Sequence, residues 1–200
     1  MSKLLLGIDI GTSGCKVAVF DLDGKVMAQS TKPYPVNYPA PGCAEQDPCI
    51  WWDAVCEAIR EVIQTGKVDA KCIAGIGVDG QSWSAIPVDK DGKVLHRTPI
   101  WMDSRSSDIC AEVVEKVGFE KIFQISGNSF EPTYSTPKIL WFKKNKPDVY
   151  KNTYKFLQSN SYIVYKLTGI MSQDVSQGYG VHCFNMKTGK WEDEFCDVLG

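Results

Sequence analysis

The stretch "LLLGIDIGTSGCKVAVFDLDGKV" at residues 4–26 constrains the fold more than any other part of the chain. Two apolar runs, Leu4–Ile8 and Val17–Phe20, are separated by Gly11, Thr12, Ser13 and Gly14. Both runs are strand-length, and the small residues between them suit only a tight turn. Asp23-Gly24 signals a second turn a few residues on. The expected strands are Leu4–Ile10, Lys16–Asp21 and Lys25–Thr31, an antiparallel opening.

Asp9 breaks the first apolar run at its end, directly before the turn. Glycines let a backbone approach a ligand closely, and successive N–H groups of such a turn form a concave anion site. The Thr12 and Ser13 hydroxyls add donors suited to phosphate oxygens. A bare phosphate would repel Asp9 unless a divalent cation or its waters lay between them. The stretch therefore reads as a Mg-nucleotide site; the alternative, that Asp9 only caps a tight hairpin, stays open at this point. The glycines at 7, 11 and 14 do not form GxGxxG, and no GxxxxGK[ST] occurs. With an antiparallel opening, a dinucleotide-binding dehydrogenase is excluded.

The rest of the chain reads as mixed α/β. Asp47 is placed to cap a helix with Pro48 in its first turn, apolar residues follow at helical spacing from Trp52 to Ile63, and Gly66 ends it. "CIAGIGVDG" is expected to be a buried strand. "SWSAIPVDKDGKVLHRTPIWMD" is expected to be a second hairpin turning at Asp91-Gly92. Helices are expected near Ser107–Val117, Pro137–Lys144 and Ser159–Leu167. Lys plus Arg (22) nearly balances Asp plus Glu (24) without a basic block, which argues against nucleic-acid or membrane-surface binding. The apolar start is too short for a signal-peptide core or a membrane span, so a cytoplasmic protein is expected. The 8 cysteines form no CxxC pair and meet only 2 histidines, which points to free thiols rather than a structural metal.

Several stretches together carry a family resemblance. "GIDIGTSGCKVAVFDLDGKV", "EQDPCIWWDAVCEAI", "GIGVDGQSW", "PIWMDSRS", "GNSFEPTYSTPKILWF" and "SYIVYKLTG" follow one another as in the FGGY carbohydrate kinases. The xylulokinase branch is the most similar, and the likeness runs essentially from Leu4 to the end. The resemblance implies an actin-like, ribonuclease H-like fold: a mixed sheet with antiparallel hairpins, flanked by helices. It implies ATP and Mg²⁺ as cofactors and a sugar or polyol whose hydroxyl receives the phosphoryl group. By similarity Asp9 helps hold the Mg²⁺-phosphate assembly, directly or through water, while Gly11, Thr12 and Ser13 contact phosphates; Lys16 reads either as close enough to neutralise charge or as a solvated strand residue. Gln81, Ser82 and Trp83 match one part of the substrate site, and Trp101 and Asp103 match another. Thr133 and Tyr134 read as structural around a helix start, Arg105 as a partner for Asp103, and Asp79 and Asp174 as structural carboxylates.

Some positions depart from the family pattern. Ser82-Trp83-Ser84 stands where xylulokinases show Met-His-Gly, so an indole that only donates replaces a histidine. No Arg-Glu follows, as it does in glycerol kinases, and Ser159-Asn160-Ser161 replaces Pro-Lys-Asp. Family members run to roughly twice this length. The resemblance therefore implies that residues 1–200 are most of an N-terminal domain, with the catalytic aspartate beyond Gly200. The short chain alone is expected not to phosphorylate sugars at a useful rate and to self-associate, a homodimer being one such form. A non-catalytic sugar-binding module of the same fold is the second hypothesis.

Overall fold

The computed structural model describes residues 3–200. Strands β1 (Leu4–Ile10), β2 (Gly14–Phe20) and β3 (Val26–Pro33) form the antiparallel opening. Leu6, Ile8 and Ile10 point to one face of β1 and are buried, while Leu5 and Asp9 point to the other and are exposed. The turn between β2 and β3 depends on Gly24, whose φ of 83° is open to few other residues, and on Asp21, whose Oδ1 accepts from the Asp23 and Lys25 N–H groups.

A two-residue strand, β4 (Glu45–Gln46), leads into helix α1 (Pro48–Thr65). The Asp47 carboxylate accepts from the Cys49 N–H, as a capping residue should, and Gly66 closes the helix. Trp51, Val55, Ala58 and Val62 line its buried stripe and pack on β2 and β3. The chain returns as β5 (Ile73–Gly80), parallel to β1, which gives a sheet in the order β3-β2-β1-β5. Helix α6 (Ser159–Thr168) packs beside β5 and α1 on the covered face.

Two expectations about strands need correction. "CIAGIGVDG" is a strand but not a buried one: β5 lies at the sheet edge and Ile76 is 50% exposed. Its apolar run reads as two-sided burial, yet Gly75 and Gly77 present no side chain and the described helices α1 and α6 cover one face only. The expected second hairpin is a turn rather than a ladder. Asp89–Lys93 does turn tightly around Gly92 (φ 78°), but a single Val88–Val94 bridge joins its arms. The arms pair elsewhere: β6 (Ile86–Val88) with β8 (Lys155–Leu157), and β7 (Thr98–Pro99) with β4.

The second half is mainly helical. Helices α2 (Ser107–Val117), α3 (Phe119–Ser126), α4 (Ser135–Asn145) and α5 (Pro147–Asn152) precede β8. The short strands β9 (Phe184–Asn185) and β10 (Lys190–Trp191) and helix α7 (Asp193–Leu199) follow α6. Cys110, Ile122, Phe130 and Phe195 form a smaller core there, separate from the cluster beneath the sheet. Helix α3 lies outside the helices expected from the sequence, set off from α2 by Gly118 (φ 87°). The thiols of Cys15, Cys43, Cys49, Cys56, Cys110, Cys183 and Cys196 are free. No described helix is long and apolar enough to cross a membrane.

Candidate active site

The carboxyl ends of the parallel pair β1 and β5 define the site, the usual place for a ligand on such sheets. Asp9 stands one residue from the end of β1. Register places Lys16 of β2 directly opposite it on one side and Asp79 of β5 on the other. All three belong to the open face of the sheet, where they line one shallow cleft with Gly7, Ala18 and Gly77. Asp79 therefore joins the candidate site, although its sequence reads as structural; one of its oxygens accepts from the Gly80 N–H at 2.8 Å. The Asp9 charge reaches inward as well. Burial, and then Asp9, push the Cys15 thiol up to about 12.

The Gly11–Gly14 turn is held from behind. Tyr34 donates its hydroxyl to the Gly11 carbonyl (2.7 Å) and its N–H to the Ser13 carbonyl (3.2 Å). Gln46 donates from its amide to the Thr12 carbonyl (2.9 Å), and the Gly11 N–H closes on the Gly14 carbonyl (3.1 Å). In a trans peptide the C=O and the following N–H point opposite ways. Carbonyls drawn inward therefore turn the Thr12 and Ser13 N–H groups outward, an arrangement that receives anions. Gln46 is a residue that sequence reading left unassigned. It is 2% exposed, and its Oε1 also accepts from the Gln81 amide (2.7 Å), so one buried side chain spans the turn and the next loop.

That next loop, Gln81–Ser82–Trp83, leaves the end of β5. The Gln81 N–H bonds the Ile10 carbonyl (2.7 Å), and Ser159 donates to the Gln81 carbonyl (2.7 Å). Ser159, the first residue of the departure at Ser159-Asn160-Ser161, is thus a buried support of this loop. Ser82 is half-buried between Gln81 and Trp83. Trp83 adopts a left-handed backbone (φ 66°), rare for a bulky residue, and its ring lies edge-on to Tyr134 (4.9 Å between centroids) and Tyr179 (5.6 Å). Trp101 is 43% exposed, and its indole N–H donates to the Thr12 hydroxyl at 3.0 Å. Thr133 in turn donates to the Trp101 carbonyl (2.8 Å). Thr133 and Tyr134 thus support the two tryptophans from behind.

Asp103 is not brought to the open cleft. Its side chain has no exposure; Arg105 grips it with Nε and Nη2 (2.8 and 2.7 Å), and the Ala44 N–H takes Oδ2 at 2.6 Å. Arg105 also bridges to Glu45 at 2.7 Å. Asp103 anchors the loop that presents Trp101 and leaves no oxygen open to a hydroxyl. Asp174 is the cap of a 3-10 turn at Val175–Gly180.

A family model for "FGGY family of carbohydrate kinases, N-terminal domain" matches residues 4–200. The chain belongs to the FGGY family. Among relatives, it is 31% identical to a xylulose kinase of Bacillus subtilis over 99% of this chain, and 30% identical to a glycerol kinase of Thermococcus onnurineus over 100% of this chain and 41% of that kinase. The structure of a gluconate kinase from Lactobacillus acidophilus superimposes with a TM-score of 0.92 over 100% of this chain, at 31% identity. The chain spans about 40% of the length of these relatives. The actin-like, ribonuclease H-like fold expected from the sequence is thereby established, with the mixed sheet that the register shows.

Two features of this FGGY domain give direct predictions. A Cβ built on Gly180 would stand 2.3 Å from Trp83 Cδ1, inside the packed ring cluster. Gly180→Ala is expected to cost about 1–3 kcal/mol of stability, as for other overpacked sites, and to displace the indole. Urea unfolding followed by tryptophan emission measures both; a neutral variant with unchanged emission would contradict the packing described. His182 is fully buried behind Tyr134 and Phe130, with Nε2 on the Ser129 carbonyl at 2.8 Å. Burial lowers its pKa from 6.5 to about 4. The unfolded chain therefore takes up this proton first, and stability present above pH 6.5 is lost as pH falls towards 4, by on the order of 3 kcal/mol. Unfolding at several pH values should show a shallower loss in His182→Gln; identical slopes would exclude His182 as the cause.

Proposed function

We propose that this chain supplies the phosphate turn and acceptor wall of an ATP-dependent kinase for a sugar or polyol hydroxyl. The observation that carries the reading is the 3.0 Å hydrogen bond from the Trp101 indole to the Thr12 hydroxyl. It makes the anion-receiving turn and an exposed aromatic face one continuous surface, as transfer between a nucleotide and a carbohydrate requires. Gln81 ties the phosphate turn to the loop that carries Trp83, its amide donating to Gln46 Oε1 at 2.7 Å. A tryptophan face suits the C–H side of a polyol.

In this scheme the outward N–H groups of Thr12 and Ser13, with the Thr12 and Ser13 hydroxyls, orient phosphates, and Lys16 offsets their charge. Trp83 and Trp101 form the acceptor wall with Gln81 and Ser82, while Asp103 positions it. Catalysis by such parts is a matter of placement and charge stabilisation. Among the described residues no three His, Cys, Asp or Glu side chains are grouped to hold a metal unaided. Asp9, with Asp79 alongside, instead fits the habit of Mg²⁺, which takes one or two carboxylates and completes its shell from phosphates and water. Mg²⁺ bound there supplies charge neutralisation of the phosphates. The general base comes, on this reading, from a part of the protein outside residues 1–200, consistent with the 40% coverage of the relatives.

The test is an ADP-release assay on a full-length protein carrying this domain, with D-xylulose, D-gluconate and glycerol, alongside the 200-residue chain. Turnover by the long form and none by the short is the expected result. Turnover by neither form, with a sugar still raising the melting temperature, would establish the binding-module alternative instead.

A further inference from the structure

Lys138 lies in the first turns of α4 with no exposure at all, a rare position for a lysine, and among the described residues no carboxylate bonds its ammonium directly. Instead Nζ donates to the backbone carbonyls of Trp83 (3.1 Å), Thr133 and Tyr134 (3.3 Å). An ammonium carries three N–H donors, and three acceptors satisfy it completely. The acceptors come from two separate loops. One carbonyl belongs to Trp83, the residue in the strained left-handed conformation. The others belong to Thr133, which holds Trp101, and to Tyr134, whose ring meets the Trp83 indole.

We propose that Lys138 is a positioning residue of the acceptor wall: its ammonium ties the Trp83 loop to the Thr133–Tyr134 turn and, through Thr133, holds Trp101 in place. Left-handed backbone is strained at a tryptophan and persists only where its surroundings over-determine it. The clamp on the Trp83 carbonyl is such a constraint, together with the Trp83 N–H bond to Gln158 Oε1 at 3.1 Å on the other side of the same residue. Burial pulls Lys138 down to about 7, against the Asp103 carboxylate, with Cys110 and Arg105 the other ionisable groups near it. Its protonated form, the one that fills all three acceptors, is thus favoured below neutrality.

The inference rests on the reading of Trp83 and Trp101 as an acceptor wall, but its test needs no sugar, so the two can fail separately. The 200-residue chain is labelled with 5-fluorotryptophan, and the fluorine resonances are assigned by single Trp→Phe variants. Lys138→Met, which keeps the length and apolar stem, is expected to shift the Trp83 and Trp101 resonances and leave those of Trp51, Trp52 and Trp191 in place. An unmoved Trp83 resonance would overturn the clamp. A merely structural lysine would disturb all signals together or none, and a uniform shift across the six counts against the proposal. Should Lys138→Met fail to fold, the wild-type chain decides. With ¹⁵N-labelled lysine at pH 6, one ammonium resonance protected from exchange with water is expected, and its absence overturns the assignment.

Discussion

Replacing Arg105 by methionine is expected to remove about 3–5 kcal/mol of folding stability, the usual consequence of stripping one partner from a buried ion network. The guanidinium and both carboxylates it holds are nearly inaccessible: side-chain exposure is 6% for Arg105, 0% for Asp103 and 8% for Glu45. Asp103 keeps only N–H donors from Ala44 and Arg105 once the guanidinium is gone, and Glu45 loses the ion pair. The methionine would preserve some packing against Trp141, over which the guanidinium now sits at 4.8 Å, so charge rather than volume drives the loss. Urea unfolding of Arg105→Met against wild type measures it. Adding Asp103→Asn and Glu45→Gln removes the orphaned charges and should recover most of the deficit. A single-variant loss below about 1 kcal/mol, the range of exposed pairs, would show that the network is open to water. Because Asp103 anchors the loop bearing Trp101, the same variant should weaken sugar binding before it weakens nucleotide binding.

How much of this was legible in advance depends on the range of the interactions. Strand β1 and the start of α1 follow from neighbours: the alternation around Asp9, the Asp47 cap and Pro48 act within a few residues, and the structure reproduces them. The pairing of Arg105 with Asp103 spans two positions and was also readable. Gln46, Asp79 and Lys138 were not assigned to the site, because their roles depend on partners far along the chain. Gln46 reaches Thr12 and Gln81, Asp79 gains its meaning from parallel register with β1, and Lys138 closes on Trp83 across 55 positions. The same holds for β6 and β7, whose true partners are β8 and β4 rather than each other. An aspartate after a tryptophan in "IWMD" carries no local sign of whether it faces a ligand or an arginine. Only the burial of Asp103 separates the two.

Asp9→Asn is expected to behave oppositely to Arg105→Met: little effect on stability and a large effect on turnover. Asp9 is exposed on the open face of the sheet, and substitutions at such positions usually fall within about 0.5 kcal/mol. The asparagine keeps size and one acceptor oxygen but removes the charge that would face a phosphate-bound cation. In the full-length protein kcat should fall roughly 10²- to 10³-fold, the range for removing one preorganised electrostatic contact. Asp79→Asn is the internal control. Its Oδ1 is already occupied by the Gly80 N–H, so it should lose less than Asp9→Asn. In the 200-residue chain, calorimetric titration with MgADP should show weakened binding for Asp9→Asn and near-normal binding for ADP without magnesium, since the turn formed by Gly11–Gly14 is untouched. If Asp9→Asn instead lowers the melting temperature and leaves turnover intact, Asp9 is a hairpin cap. The acid at the end of the first strand would then belong to folding, and the cation would have to be held by other groups. Loss of turnover at full stability places the charge itself in the chemistry, with Asp9 the more exposed to a ligand of two carboxylates whose neighbour Asp79 already accepts from the Gly80 N–H.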